Sequence, residues 1–408
     1  MRMRSNRLIN LLLLLLLSAC SNMLPPEWKP TSASNSPVPL KVAATFTAMP
    51  SAISLPDFPI LTATPTPTLT PASKLISTTT ATAEPNLYPL NLTQGLGGNP
   101  LSPSWSPNGL SIVFSLDDPS QPNHNQLYTA AVDGSGWWKV IDHPGTNDFL
   151  PRWSPDGAQI LFCSTAADGS GTNLFVVSPD GKNLTQLTHD HGSLCQAAWS
   201  PDGSQIALIS DRGGKQTGQL YVMNANGTNL HLAADVNNTS DPVWSPDGNT
   251  LVFSGLDRTG SGAGMYRASP NGFGLIQLIK NPAFEAGMQW SPDGKKIVYQ
   301  ADSSLYMINP DSSGQVKILP KQNSMGGEAW SPDGSWIAFD ASPAGDSQIF
   351  VSTIDGSTLL YYAHPGLQDL FPLFSPDGKK LIFYSHHDHV DDGALLLITF
   401  DDLSLWGK

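Results

Sequence analysis

From about Leu87 onward the chain alternates short apolar runs with polar, turn-forming clusters at nearly constant intervals. Runs such as Ile160-Leu161-Phe162, Leu220-Tyr221-Val222-Met223 and Ile297-Val298-Tyr299 are rich in β-branched and aromatic residues and are bounded by Gly, Pro, Asn and Asp. Short segments of this kind read as strands joined by tight turns. Between Ser21 and about Asn86 the pattern is absent, and neither a helical nor an alternating apolar period survives.

The turns repeat. Trp105-Ser106-Pro107-Asn108-Gly109 is followed by Trp-Ser-Pro-Asp-Gly copies beginning at Trp153, Trp199, Trp244, Trp290 and Trp330, and by Phe374-Ser375-Pro376-Asp377-Gly378. In Ser-Pro-Asp-Gly, Pro presets φ at the second position, Asp suits the third, and Gly accepts the left-handed conformation that closes a hairpin. Each copy leads into a β-rich run, a loop, a second run, a turn such as Asn226-Gly227 or Asp355-Gly356, and a strand such as Leu184-Thr185-Gln186-Leu187-Thr188. Four strands per unit and a spacing of about 45 residues match one blade of a β-propeller. The predicted fold is all-β, a ring of four-stranded antiparallel blades, seven by the number of turns.

The repeat resembles the TolB-type propeller, in which Trp-Ser-Pro-Asp-Gly is followed by Ile-Ala-Phe-Ser, Ile-Tyr-Val-Met and Leu-Thr strands. The resemblance covers about Leu87 to Asp402. It implies that the strand ending in Trp is innermost and the Leu-Thr strand outermost. Six blades, as in TolB itself, is the alternative count. Trp105, Trp153, Trp199, Trp244, Trp290, Trp330 and Phe374 are expected to wedge between blades, and the turn Asp residues to bond local amides. The last unit is one strand short, whereas Leu90-Asn91-Leu92-Thr93 precedes the first as a spare outer strand. This N-terminal strand is expected to complete the last blade beside Leu395–Thr399 and to cover its edge.

The N-terminus changes the picture of where the ring works. Arg2, Arg4 and Arg7 precede an apolar run from Leu8 to Leu17, and Leu17-Ser18-Ala19-Cys20 follows. A basic start, a short apolar core and small residues before a cut form an export signal, residues 1–19. The ending resembles the bacterial lipobox, which implies cleavage before Cys20 and lipid attachment to it, a membrane anchor without a spanning helix. Residues 20–86, rich in Pro, Thr, Ser and Ala, cannot bury enough surface to offset their ordering entropy. They are expected to form a disordered stalk that at roughly 3 Å per residue reaches more than 100 Å, with the propeller at 87–408. The expected location is extracytoplasmic, lipid-anchored to the cell membrane or outer membrane.

The formal charge is −13, and loss of the three signal arginines leaves about −16. Such a chain repels phosphate backbones, so nucleic acid is excluded as a partner. Two cysteines remain besides Cys20. Cys163 ends a second strand and Cys195 begins the next blade's inner strand, leaving either a disulfide or two buried thiols.

Topology sorts the loops between two ends of the ring. The Ser-Pro-Asp-Gly turns lie at one end. The inter-blade loops and the loops between second and third strands lie at the other, where lengths vary and a site is expected. His124, His386, His387 and His389 fall in second-to-third-strand loops, and His143, His189, His191 and His364 in inter-blade loops. With Arg152 they form a candidate ligand face. His386, His387 and His389, with His364 from the adjoining loop, could hold a divalent metal, although the spacing matches no zinc motif. No Gly-x-Ser-x-Gly elbow, His-Glu-x-x-His, phosphate-binding Gly-Lys-Ser/Thr or Cys-x-x-Cys occurs. The expected function is that of a monomeric binding or scaffold module presenting its loop face to a protein, peptide or glycan, with no cofactor. The alternative is a metal-assisted carbohydrate-active enzyme resembling oligogalacturonate lyases, whose propeller binds a metal through histidines.

Overall fold

The computed structural model describes residues 89–400, apart from 118–123, 167–168, 170, 190–191, 193–194, 213–216, 257–262, 281–283, 320–324, 344, 363, 365 and 388–392. Cys20, His191, His389, the signal and the linker lie outside the described residues.

Seven four-stranded antiparallel sheets follow one another along the chain. Blade 1 runs from Asn99 to Lys139, blade 2 from Thr146 to Gln186, blade 3 from Gln196 to Ala234 and blade 4 from Asn237 to Lys280. Blades 5 and 6 span Phe284–Leu319 and Met325–Tyr362. Blade 7 takes three strands from Gln368–Thr399 and its fourth from Leu90–Asn91, paired as Leu90↔Leu397 and Asn91↔Leu396. The ring therefore has seven blades, not six, and the N-terminal strand closes it.

Each turn is built the same way. In blade 2 the Ser154 hydroxyl donates to Asp156 Oδ1 (2.6 Å) and accepts the Gln159 amide (2.9 Å), while the Ala158 amide donates to Asp156 Oδ1 (2.9 Å). Gly157 sits at φ 72° with its amide on the Ser154 carbonyl. In blade 1 Asn108 replaces Asp and accepts the same two bonds. A side-chain carbon at Gly157 would stand 3.7 Å from the Pro107 ring of the preceding blade, so space is adequate and only the backbone objects. Gly157→Ala should cost about 1–2 kcal/mol in urea titrations, and Gly157→Asn clearly less, since Asn tolerates this region.

The buried apolar side chains divide into seven clusters, one at each blade boundary, and each contains one repeat aromatic. Trp105 packs with Ile112 and Phe114 of blade 1 against Ile382 and Leu397 of blade 7. Phe374 packs against Ile349 and Val351 of blade 6. Three indole N–H groups reach a carbonyl on the preceding blade's inner strand: Trp105 to Leu373 (3.3 Å), Trp244 to Ala198 (3.1 Å) and Trp330 to Gln289 (3.3 Å). At these three boundaries the repeat aromatic holds one inner strand to the next; at the other four it contributes packing alone among the described residues.

The inner strands share a feature that positions the interior. In six blades the residue three places before the aromatic has positive φ: Ser102, Leu150, Asp241, Gly287, Gly327 and Phe371. Register slips there as a bulge in every case. Only blade 3, whose inner strand is the short Gln196–Trp199, pairs without a slip.

Candidate functional site

Blades 2 and 7 enter the ring through matching sequences, His143-Pro-Gly-Thr-Asn-Asp148-Phe-Leu-Pro-Arg-Trp153 and His364-Pro-Gly-Leu-Gln-Asp369-Leu-Phe-Pro-Leu-Phe374. The structure shows what the shared residues do. In blade 2 the Asn147 side-chain oxygen accepts the Asn125 amide (2.9 Å), and the Asp148 amide donates to the Asn125 carbonyl (2.9 Å). In blade 7 the Gln368 side chain accepts the Ser347 amide (2.7 Å), and the Asp369 amide donates to the Ser347 carbonyl (3.0 Å). Each entry segment so clamps the second-to-third-strand loop of the blade before it. Both Asp carboxylates are fully buried, and each accepts a hydroxyl from the neighbouring strand, Ser164 (2.6 Å) or Ser385 (2.5 Å).

The two clamps differ in how the carboxylate is completed. Asp148 also accepts Thr146 Oγ1 (3.1 Å) and meets His143 Nδ1 at 3.2 Å. Hydrogen bonding to Asp148 raises the His143 pKa against the opposing effect of burial. In blade 7 Leu367 stands where Thr146 does, so that hydroxyl is missing. His364 Nδ1 stops 3.7 Å from Asp369 Oδ1, and among the described residues neither His364 Nδ1 nor Asp369 Oδ2 has a hydrogen-bond partner. Burial pushes Asp369 up to about 7, with Ser385 opposing. Burial also lowers His364, and the nearby His387 adds to the effect.

A testable pH dependence follows. The folded pKa of Asp369 lies above the ordinary carboxylate value, so its protonated form favours folding. That contribution is full below about pH 4 and is lost as pH rises through about 7. Asp369→Asn keeps an acceptor for Ser385 and offers an N–H toward His364. The melting temperature of this variant relative to the unmodified protein should climb between pH 5 and pH 8. A difference that stays flat with pH would contradict the assignment.

Between the two clamps lies blade 1, which carries a cavity of about 350 Å³. Leu96 and Gly97, just after the closing strand, form part of its wall, and Pro144 and Gly145 of the blade 2 entry segment form another. Its polar groups are His124, Gln126, Lys139 and Asp142, with the Tyr128 ring beside them. Lys139 and Asp142 form an ion pair at 2.7 Å, leaving little net charge, and among the described residues the amide oxygen of Gln126 has no partner. Tyr128 is held by Phe114 (6.1 Å, stacked) and Trp137 (5.9 Å, edge-on).

The predicted ligand-face residues separate into groups. His364, His386 and His387 belong to blade 7 and its entry segment, His124 lines the blade 1 cavity, and His143 sits in the blade 2 clamp. These occupy three adjoining blades. His386 Nδ1 is engaged with the His387 carbonyl (3.0 Å). His189 follows the outer strand of blade 2. Arg152 stands apart from the loops, on the inner strand of blade 2. Among the described residues no three His, Cys, Asp or Glu side chains gather closely enough to hold a metal ion.

Cys163 and Cys195 form a disulfide that joins blade 2 to the start of blade 3's inner strand. At the equivalent place in blade 6, Asp340 accepts the Phe371 amide of blade 7 (2.8 Å), and burial raises that carboxyl to about 6. A covalent bond at the boundary of blades 2 and 3 and a hydrogen bond to a carboxyl at that of blades 6 and 7 thus occupy equivalent places in the ring.

Residues 101–236 match the family model described as the TolB beta propeller domain. A curated relative, the "Uncharacterized peptidase YuxL" of Bacillus subtilis (strain 168), is 42% identical over 60 residues, which is 15% of this chain and 9% of that protein. The chain therefore spans about a tenth of that relative's length. Among solved structures, an oligogalacturonate lyase in complex with manganese superposes with a TM-score of 0.54 at 16% identity, over 74% of this chain and 89% of that one. A puromycin-hydrolyzing peptidase of Mycobacterium tuberculosis superposes with a TM-score of 0.60 at 13% identity, over 74% of this chain and 51% of that one. At these identities the likeness is one of fold.

Proposed function

We propose that this TolB-like β-propeller is an extracytoplasmic binding module, tethered through lipid on Cys20 and a Pro/Thr-rich stalk, that presents its loop face to a protein, peptide or glycan. One observation carries the reading. Blade 1 carries a polar cavity of about 350 Å³, lined by His124, Gln126 and Lys139 and walled by the blade 2 entry segment and by Leu96 and Gly97 after the closing strand. The disulfide suits an oxidising compartment, in keeping with export.

The test is affinity capture from envelope extract together with a glycan array, using the full chain. His124→Ala with Lys139→Ala should weaken the captured interaction at least tenfold. Substitutions of exposed residues at the turn end, such as Asp202→Ala, should leave it unchanged. The reverse pattern would overturn the assignment of the face.

A second reading, metal-assisted action on a carbohydrate, draws on the approach of His364 to His387 and on the manganese named with the lyase structure. The described residues do not fit a metal by themselves. Among the described residues His364, His387 and the neighbouring Asp369 do not gather into a group that could hold a metal ion, and His389 lies outside the described residues. Metal analysis of purified protein decides it: a stoichiometric divalent ion, lost in His364→Ala and His387→Ala, would favour this reading.

A further inference from the structure

Blades 1 and 3 carry the same frame across their third and fourth strands. Gln126-Leu127-Tyr128 is followed sixteen places after the Gln by Asp142, and Gln219-Leu220-Tyr221 at the same distance by Asp235. In blade 3 the frame closes on itself. The Gln219 side-chain amide donates to Asp235 (2.9 Å), the Tyr221 hydroxyl stands 3.5 Å from the Gln219 oxygen, and Gln219 is buried.

Blade 1 leaves the frame open. Lys139 lies across from Tyr128 where blade 3 has Leu232 across from Tyr221, and its ammonium holds Asp142 at 2.7 Å. The Gln126 amide donates to the Asn125 carbonyl instead (3.2 Å), and its buried oxygen has no partner among the described residues. The cavity of about 350 Å³ stands at this opening, with Gln126, Tyr128, Lys139 and Asp142 in its lining. Trp137, two places before Lys139 on the outer strand, packs edge-on to Tyr128 (5.9 Å). Its indole N–H donates to the Gln94 carbonyl (3.2 Å), which steadies the segment leading to Leu96 and Gly97 on the cavity wall. An unpaired buried acceptor is costly, so a ligand that donates to it is favoured. Lys139 donates and Asp142 accepts, side by side, which suits neighbouring hydroxyls that do both. The Tyr128 ring offers an apolar surface to C–H groups. Because the ion pair is compensated within itself, a charged ligand would have to break it or meet a charge of its own sign. A cavity of this size takes a small molecule rather than a protein surface.

We propose that the blade 1 cavity binds a neutral mono- or disaccharide, with the Gln126 oxygen accepting one hydroxyl and the Lys139–Asp142 pair engaging two adjacent ones. The proposal rests on the loop-face reading above and selects a glycan from its three partner classes. Lys139 is the residue that opens the site, by holding Asp142 away from the amide that the equivalent Asp235 closes in blade 3.

The test is isothermal titration of the full chain with glucose, galactose, mannose, N-acetylglucosamine, cellobiose, maltose and N,N′-diacetylchitobiose, with digalacturonate as the charged counterpart. At least one neutral sugar should bind, and digalacturonate should bind tenfold or more weakly than it. Lys139→Leu, which copies blade 3, and Gln126→Met should each weaken the neutral sugar tenfold or more without lowering the melting temperature. The sugar series uses unmodified protein, so it remains decisive if a variant does not fold. Absence of binding by every neutral sugar at millimolar concentration, preference for digalacturonate, or binding unchanged in both variants would overturn the proposal. If no sugar binds while His124→Ala with Lys139→Ala still releases a captured protein, the ligand class fails and the face stands; if neither effect is seen, both fail.

Discussion

Removing the chain through Thr93 should destabilise the propeller by about 3–5 kcal/mol and make it aggregate. Leu92 is 3% exposed and sits in the cluster between blades 7 and 1 with Ile382, Leu395 and Leu397. Its amide donates to the Leu395 carbonyl (2.9 Å), and the Leu395 amide donates to Thr93 Oγ1 (3.1 Å). Deletion uncovers the strand Ala394–Thr399 along its whole free edge, with apolar side chains beside it, a template for pairing with another chain. The milder Leu92→Ala should cost about 2–4 kcal/mol by cavity formation alone while leaving the edge covered. Urea titrations with light scattering separate the two effects. Equal stability of the truncated protein would mean that the ring closes by other contacts.

Breaking the Cys163–Cys195 disulfide should cost about 3–4 kcal/mol, the loop-closure entropy for cysteines separated by 32 residues. The bond crosses the boundary between blades 2 and 3, where Leu161, Leu174, Ile206 and Met223 pack together. It also fixes the start of the only inner strand that lacks a bulge. The double variant Cys163→Ser/Cys195→Ser should fold at moderate temperature and melt well below the oxidised protein, and reductant should bring the unmodified protein to the same midpoint. Reductant that leaves the midpoint unchanged would contradict this estimate.

The fold was legible because its information is local and repeated. Ser-Pro-Asp-Gly specifies a turn through φ preferences and an Asp acceptor, and each copy recurs with its hydrogen bonds intact. The spare strand at Leu90 was legible because the last unit lacked a partner. The bulges were not. Leu150 and Phe371 are bulky residues that no propensity would place at positive φ; Leu150 packs into the cluster between blades 2 and 3, and the Phe371 amide is held by Asp340 of blade 6.

The site was legible in part. Histidines considered one at a time concealed the match between His143…Asp148 and His364…Asp369. Comparing the segments that precede the repeat aromatic would have revealed it. The difference between the two clamps rests on a single hydroxyl, Thr146 against Leu367, and only geometry shows that it leaves Asp369 incompletely bonded.

The claim beneath all of this is that the chain closes by pairing its first strand with its last blade, which sets blades 7, 1 and 2 side by side. Residue-resolved amide exchange tests it most directly. The amides of Leu92 and Leu395 are hydrogen-bonded across the closure and should exchange as slowly as those within Lys380–His386. Exchange at the rate of an unstructured chain at Leu92, with the neighbouring blades still protected, would contradict it.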